Sequence, residues 1–195
     1  MSICDTSFIV RIIEFNQQRA FNSDNHTITP QVEEELDAKS YEDILDDLQR
    51  IIQISERFDL DLTIINSSNF ADEIERIIQN TDCRKVDLQS NLSNCSAQEI
   101  LNLEKGEQSC YFGREKDEFI ITEDFEAYNI LHQHTNGKVA CLIELIVTGD
   151  LDDERKDLVR ALDALFLPED KLETNLWTVI NSKIERALDD RITVD

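Results

Sequence analysis

The sequence predicts a helix-dominated α+β fold, built as a single domain over residues 1–195 around a small sheet. Three observations lead to this prediction. Only 4 Gly and 2 Pro interrupt the 195 residues, a composition that favours long helices over a many-stranded β fold. Several segments place apolar residues at helical spacing behind a capping residue. A nearly unbroken apolar run, VACLIELIV from Val139 to Val147, supplies a segment that the other elements must surround.

The apolar run at residues 139–147 is the predicted centre of the sheet. Its length and its β-branched residues favour a buried strand over a helix. A second part of the sheet is predicted as a hairpin, in which residues 110–112 and 119–121 flank a polar loop. The alternative is an all-α bundle with the run at 139–147 as its buried central helix. Residues 7–15 (SFIVRIIEF) fit a strand or a helix, because periodicity alone does not separate the two in a short apolar run.

Helix ends are indicated by local chemistry in the first half of the chain. Thr29 is predicted to be an N-cap, and Pro30 suits the first helical position because its missing N–H costs no hydrogen bond there. Ser40 is predicted to open an amphipathic helix. Ser96 has the spacing of a capping box with a glutamate three residues later, and Gly106 is predicted to end the helix that begins there.

The remaining elements follow from polar stretches and from two late helices. The polar stretch at residues 80–95 is predicted to be a linker or an exposed loop within the domain. Asp150 is predicted to cap a helix whose buried stripe includes Leu158 and Leu162. Pro168 is predicted to separate that helix from a last one. Two amphipathic helices joined so closely are expected to form an antiparallel pair.

The formal net charge is -23, from 42 acidic and 19 basic side chains. This excess argues against direct binding to nucleic acid, because phosphate contacts require clustered Lys and Arg. An anionic membrane surface is disfavoured for the same reason. A basic protein is the complementary partner. Simple solubility explains the charge equally well, so the composition alone does not establish a binding role.

The cellular context is predicted from the cysteines and the apolar runs. The 5 Cys are far apart and lack the short spacing of a zinc or redox site, which predicts free thiols in a reducing cytoplasm. The N-terminal segment lacks the features of a signal peptide, and no apolar run approaches the ~20 residues of a membrane span. No glycine-rich phosphate loop is present, so no cofactor is predicted.

His132 and His134 form a local pattern with metal-ligand spacing. In an extended segment both imidazoles point to one face and can share an ion, with Asp124, Glu126 or Cys141 as a further ligand. On a helix they diverge, and imidazoles near a helix end can hydrogen-bond its last carbonyls instead. The second arrangement is favoured, so the sequence predicts no metal site and leaves these two histidines as the candidates.

Carboxylates are concentrated between residues 33 and 47, where Lys39 is the one basic side chain. Carboxylates on rigid helices can bind the Arg- and Lys-rich face of a protein, or reproduce the charge spacing of a phosphate backbone. A solvated helix face explains the same tract equally well. The predicted partner-binding residues are Glu33, Glu34, Asp37, Glu42, Asp43, Asp46 and Asp47.

Three functions are compatible with the sequence. The first is a non-catalytic interaction protein that binds a basic protein partner, as an inhibitor, an immunity or antitoxin-like protein, or a chaperone. The second is a nucleic-acid mimic that blocks a DNA- or RNA-binding protein. The third is a metal-dependent enzyme that uses His132 and His134. The acidic charge, together with the absence of a catalytic motif, favours the first.

Overall fold

A computed structural model describes residues 1–17, 25–146 and 153–165. The predicted helix-dominated α+β fold with a small sheet is confirmed. The strands are β1 (Ser2–Cys4), β2 (His26–Ile28), β3 (Asp82–Cys83), β4 (Phe119–Ile121) and β5 (Val139–Ala140). The helices are α1 (Thr6–Glu14), α2 (Pro30–Asp37), α3 (Leu45–Phe58), α4 (Ser67–Asn80), α5 (Leu88–Asn94), α6 (Gln98–Leu101), α7 (Lys105–Gly113), α8 (Phe125–His134), α9 (Leu142–Ile146) and α10 (Asp153–Leu165), with a 3-10 turn at Tyr41–Ile44.

The five strands form one sheet in the order β3-β2-β1-β4-β5, and every pairing is parallel. β1 lies in the middle, with Ile3 opposite Thr27 of β2 on one side and opposite Ile120 of β4 on the other. The chain builds outward from β1 through β2 to β3, then returns to the other side of β1 for β4 and β5. Because parallel neighbours need a crossover connection, helices separate all successive strands.

The structure divides into two compact units. The first unit comprises Met1–Asp43 and Ile65–Leu142 and contains the whole sheet. The second comprises Ile44–Ile64 and Ile143–Asp195. In the second unit α3 contacts α10, and Leu158 and Leu162 are buried as predicted. The prediction of one domain over residues 1–195 stays a prediction.

The first βα unit explains the ambiguous stretch at residues 7–15. The strand is earlier than expected, at Ser2–Cys4, and Asp5 ends it by acting as the N-cap of α1, with its side chain accepting a hydrogen bond from the Ser7 N–H. The apolar residues that follow therefore form a helix. Its buried face is formed by Phe8, Ile9, Ile12 and Ile13.

The second βα unit starts where the sequence predicted it. Thr29 is the N-cap of α2, with its hydroxyl accepting a hydrogen bond from the Val32 N–H, and Pro30 occupies the first helical position. Val32 and Leu36 are fully buried. Since residues 32, 35 and 36 fall on neighbouring parts of one helical face, α2 directs Glu35 towards the interior side of the first unit.

Two of the predicted strand assignments are wrong. The apolar run at 139–147 is a strand only at Val139–Ala140, and Leu142–Ile146 forms a short helix; its last residue, 147, lies outside the described residues. The run is therefore neither one strand nor one helix. The hairpin does not form, because residues 110–112 belong to α7, which begins with a capping box between Glu104 and Glu107.

Further helix boundaries also differ from the predictions. Gly106 lies in the first turn of α7 rather than at a helix end, and α6 begins after Ala97 without a side-chain cap at Ser96. The polar stretch at 80–95 is not a plain loop, because it supplies β3 at the sheet edge and α5. Asp150 and Pro168, with the predicted last helix, lie outside the described residues. Among the residues described, no helix is long and apolar enough to cross a membrane.

Candidate functional site

The middle of the sheet contains a topological switch point between β1 and β4. From β1 the chain first extends the sheet on the β2 side and later on the β4 side, so the connections leave these two neighbouring strands in opposite directions. In open parallel sheets such a point leaves a crevice outside the carboxyl ends of the strands, where ligands bind. The residues at this position are Asp5, after β1, and Thr122, after β4.

Asp5 is held rigidly where the two strands end. Its side chain is only 3% exposed, and its Oδ2 accepts hydrogen bonds from Ser7 Oγ at 2.8 Å and from Thr122 Oγ1 at 3.2 Å. Ser7 Oγ in turn accepts a hydrogen bond from the Glu123 N–H at 2.9 Å. The Asp5 N–H donates to the Ile121 carbonyl at 2.9 Å. The carboxylate therefore has a fixed position between β1 and β4.

Three other carboxylates come to the same end of the sheet from helices. Glu35 on α2 accepts hydrogen bonds from Thr6 Oγ1 at 2.6 Å and from the Gly106 N–H at 2.8 Å. Glu107 on α7 accepts one from the Glu104 N–H at 2.9 Å. Asp124 is the N-cap of α8. We call Asp5, Glu35, Glu107 and Asp124 the carboxylate cluster.

The pKa values of Asp5 and Glu107 are raised by burial and by neighbouring carboxylates. Burial raises the pKa of Asp5 above its ordinary value, and the charge of Glu35 raises it further. Burial raises the pKa of Glu107 to about 8, with added repulsion from Asp5, Asp124 and Glu104. The charges that raise these two pKa values are all carboxylates. The site is therefore short of positive charge, which is the condition under which carboxylates bind a cation.

The cluster carboxylates accept hydrogen bonds from backbone N–H and hydroxyl groups. Within residues 1–17, 25–146 and 153–165, no group of three His, Cys, Asp or Glu side chains is placed so that it could hold a metal ion. Glu107 points back to the Glu104 N–H, and Asp124 Oδ1 accepts from the Ala127 N–H at 2.8 Å. A shared ion would therefore require Glu107 and Asp124 to give up these hydrogen bonds.

The two candidate histidines are not brought together. Both lie in the last turn of α8, where residues two apart point about 200° away from one another. His132 stacks on Tyr128, with ring centroids 5.9 Å apart. His134 lies 3.8 Å from a Glu99 carboxylate oxygen and contacts the Tyr111 ring edge-on. The extended segment that a shared ion would need is replaced by a helix, so these residues do not form a metal pair.

The predicted partner-binding carboxylates fall into both compact units. In the first unit Glu34, Asp37, Glu42 and Asp43 are exposed, and we call these four residues the acidic surface. Glu33 is half-buried instead, near Cys83, whose pKa is raised to about 11 by burial and by a hydrogen bond with Glu33. Asp46 and Asp47 are exposed on α3 in the second unit. Their role in binding a partner stays a prediction.

Asp5, Glu35 and Glu107 were not predicted as site residues. Glu35 lies in the acidic tract between residues 33 and 47, and Glu107 directly follows Gly106, where the sequence predicts a helix end. One signal was available: two short apolar stretches, Ile3-Cys4 and Ile120-Ile121, are each followed within three residues by an aspartate. Carboxylates directly after parallel strands lie at one edge of a sheet, so this pattern marks a site once both strands are recognised.

Comparison with known proteins gives no further assignment for this site. A scan against protein families found no match, and searches of curated proteins and of solved structures also found none. The geometry and the charge of the cluster are therefore the basis for assigning a function.

Proposed function

We propose that the chain is a divalent-cation-dependent hydrolase of phosphodiester bonds, a nuclease-type activity, with the carboxylate cluster as its active site. The observation that carries this proposal is the convergence of Asp5, Glu35, Glu107 and Asp124 at the switch point of a parallel sheet. Open parallel sheets bind ligands at that position. Neighbouring carboxylates contribute to the raised pKa values of Asp5 and Glu107, and a cation bound beside them would offset this repulsion.

The donor set favours Mg²⁺ or Mn²⁺ as the ion. All four cluster residues offer oxygen, the ligand that hard divalent cations prefer. Mg²⁺ in particular is held by one or two carboxylates and completes its shell with water and substrate phosphates. Each carboxylate oxygen has two lone pairs. Asp5 can therefore keep its Ser7 and Thr122 hydrogen bonds while it also contacts an ion.

The chemistry follows from what the cluster residues can and cannot do. A bound divalent ion supplies an activated water and a polarised phosphoryl oxygen. Asp5 is buried and held by two hydroxyl groups, which suits a fixed ligand better than a nucleophile that must approach phosphorus. We therefore propose direct attack by water: the water oxygen bonds to phosphorus and the bond to the leaving alkoxide breaks. The ionised form of Glu107, which predominates above pH 8, accepts the water proton and passes it to the leaving alkoxide.

The charge of the chain favours a diester over a monoester as substrate. A phosphodiester carries one negative charge at the bond to be cleaved, whereas a phosphomonoester carries up to two. A protein with a net charge of -23 repels the dianion more strongly. The same repulsion predicts weak substrate binding outside the cation site, with KM values that rise at low ionic strength.

The proposal is tested with bis(4-nitrophenyl) phosphate, 4-nitrophenyl phosphate and a single-stranded RNA oligonucleotide, each with Mn²⁺, Mg²⁺ or EDTA. We expect Mn²⁺-dependent cleavage of the diester and the RNA above that of the monoester. Asp5→Asn keeps an oxygen that can cap α1 but removes a charged ligand. Loss of an outer-shell partner of a metal site costs about 10–100-fold in activity. We expect this substitution of a ligand to lower turnover by more than that. Asp43→Asn, on the acidic surface, is the matched control and should leave turnover unchanged.

Two results would overturn this function. One is the absence of metal-dependent turnover on both diester substrates, measured with protein whose folding is verified by thermal unfolding. The other is equal turnover of Asp5→Asn and the wild type, since a contaminating nuclease would give that pattern.

We propose binding of a basic protein as the second candidate function, because Glu34, Asp37, Glu42 and Asp43 are all exposed within the first unit. Exposed like charges steer a cationic partner and raise its association rate. A basic bait protein that binds with salt-sensitive affinity, and loses affinity when these four residues are neutralised, supports this candidate. Competition between DNA and the chain for the bait would indicate nucleic-acid mimicry. Affinity insensitive to salt would exclude both.

A further inference from the structure

A row of aromatic rings follows one side of α8. The Phe125 side chain is 70% exposed, and His132 is also exposed. Tyr128 lies between them and stacks on His132, with ring centroids 5.9 Å apart and planes inclined by 20°. Residues three, four and seven positions apart lie along one side of a helix. We call Phe125, Tyr128 and His132 the aromatic stripe.

The other side of α8 attaches the helix to the first unit. Ala127 and Leu131 are buried there. The first turn is fixed by two hydrogen bonds of 2.8 Å: the Ala127 N–H donates to Asp124 Oδ1, and the Asn129 side-chain amide donates to the Phe125 carbonyl. Phe125 is therefore held out from a rigid backbone and contributes little to the core.

Two other phenylalanines indicate what such a ring binds in this protein. The Arg57 guanidinium carbon lies 5.8 Å from the ring centroid of Phe58, and the Lys138 ammonium nitrogen lies 4.9 Å from that of Phe119. Phe125 is more exposed than either. Within the part of the chain that the structure describes, no Lys or Arg lies over the Phe125 ring. Because the face of an aromatic ring attracts cations, this ring can accept one from another molecule.

The charges next to Phe125 favour a cationic ligand. Asp124 and Glu126 are exposed, and they offset the positive end of the α8 dipole, which would otherwise repel a cation. The net charge of -23 attracts basic molecules over a longer range. Arginine fits these features better than lysine, because its planar guanidinium stacks on a ring and donates hydrogen bonds to a carboxylate at the same time.

We propose that the aromatic stripe is a docking surface for an arginine-containing segment of a basic protein. One guanidinium stacks on the Phe125 ring and donates to the Glu126 carboxylate. The inference is independent of the hydrolase function. It extends the second candidate function, on which it rests to the extent that both require a basic partner, and it names a surface separate from the acidic surface.

The test is fluorescence anisotropy of three labelled peptides with the full chain at physiological ionic strength. One peptide alternates Arg and Gly, the second has Lys in place of each Arg, and the third has Met. We expect the wild type to bind the Arg peptide most tightly and the Met peptide least. Phe125→Leu keeps the apolar bulk but removes the ring. It should weaken binding of the Arg peptide about 5-fold, the equivalent of about 1 kcal/mol, and abolish the preference for Arg over Lys.

Three further variants locate the effect. Phe119→Leu is the matched control, because its ring is exposed but already has the Lys138 ammonium over it, and it should bind as the wild type does. Phe125→Trp restores a ring and should bind the Arg peptide at least as tightly as the wild type. Neutralising the acidic surface should weaken the Arg and Lys peptides equally and keep the preference for Arg. Thermal unfolding verifies that each variant is folded.

The outcomes separate the aromatic stripe from the acidic surface. Unchanged binding of the Arg peptide by Phe125→Leu, or equal weakening by Phe119→Leu, would overturn the stripe as the docking surface. Equal binding of the Met peptide would also overturn it, because a cation would then not be required. If the wild type binds neither cationic peptide, the stripe and the second candidate function both fail. If Phe125→Leu weakens binding but neutralising the acidic surface does not, the stripe is supported and the acidic surface is not.

Discussion

The carboxylate cluster and the acidic surface contain the same kinds of residue under opposite physical conditions. Asp5 and Glu107 are buried, and repulsion from other carboxylates adds to the burial that raises their pKa values. Asp43, on the acidic surface, is exposed, and its pKa is lowered because its side chain accepts hydrogen bonds from the Ser40 N–H and hydroxyl group. Ionisation of Asp5 or Glu107 costs folding free energy, whereas ionisation of Asp43 contributes stability.

This difference between buried and exposed carboxylates indicates which of them are candidates for binding a ligand. A surface carboxylate is solvated and needs no partner. Buried carboxylates that face one another are costly unless something compensates them, and a protein keeps such an arrangement where it has a use. Position, rather than the net charge of -23, therefore identifies the site.

The largest predicted effect concerns a buried carboxylate that does have a cation. Both terminal guanidinium nitrogens of Arg84 donate hydrogen bonds to the Glu118 carboxylate, and Arg84 Nη1 also donates to the Gly113 carbonyl at 2.9 Å. Arg84→Ala leaves Glu118 buried without its partner and should lower the free energy of unfolding by about 3 kcal/mol, measured by urea denaturation. Arg76→Ala, which breaks an exposed pair with Glu73, should cost less than about 1 kcal/mol. Equal effects of the two variants would contradict the comparison.

The second prediction supplies a cation to the cluster. A ligand that binds only the folded state raises the free energy of unfolding by about 2.7 kcal/mol when its concentration is about 100 times its Kd. For a chain of this size, that corresponds to a Tm increase of about 5–10 °C. Saturating Mn²⁺ should therefore raise the Tm of the wild type and of Asp43→Asn, but not that of Asp5→Asn. A similar increase in all three proteins would indicate binding to the general acidic surface instead.

The third prediction uses pH in place of an ion. The pKa of Glu107 is raised from 4.5 to about 8, so its protonated form contributes stability that is fully present below about pH 4.5 and is lost as the pH rises through 8. Glu107→Gln keeps an acceptor for the Glu104 N–H and removes the charge. In EDTA it should be more stable than the wild type at pH 8.5 by about 1 kcal/mol, after allowance for solvent screening. The two Tm curves should converge near pH 4.5; parallel curves would exclude this repulsion.

Sequence reasoning found the parts of the fold that are decided locally. Thr29 and Pro30 start α2 because cap and proline chemistry acts within one turn. The presence of a small sheet in a helix-rich chain was also predicted. Local patterns were insufficient where a segment's state depends on its neighbours: Val139–Ala140 is a strand because it pairs with β4, while the equally apolar residues after it form a helix.

The candidate site was missed for the same physical reason. Its four members come from residues 5, 35, 107 and 124, and only the crossover that returns the chain to the other side of β1 brings them together. Composition counts Glu35 and Glu34 as equivalent, although one is held between Thr6 and Gly106 and the other is exposed. Neighbouring residues of a helix point in different directions, so Glu35 faces the interior of the first unit while Glu34 is exposed. Which direction is the interior depends on the non-local pairing of the strands.

The smallest predicted effect is on the acidic surface. Because the pKa of Asp43 is lowered below 3.8, its ionised form contributes stability above about pH 4 that is lost as the pH falls through its folded-state pKa. Asp43→Asn should therefore shift the acid limb of the unfolding curve slightly. It should not change the difference in stability that Glu107→Gln produces at pH 8.5. The measurement is Tm against pH from 2 to 5 in EDTA. If Asp43→Asn instead altered the alkaline limb that Glu107 controls, the cluster and the acidic surface would be one coupled system, and the distinction between them would fail.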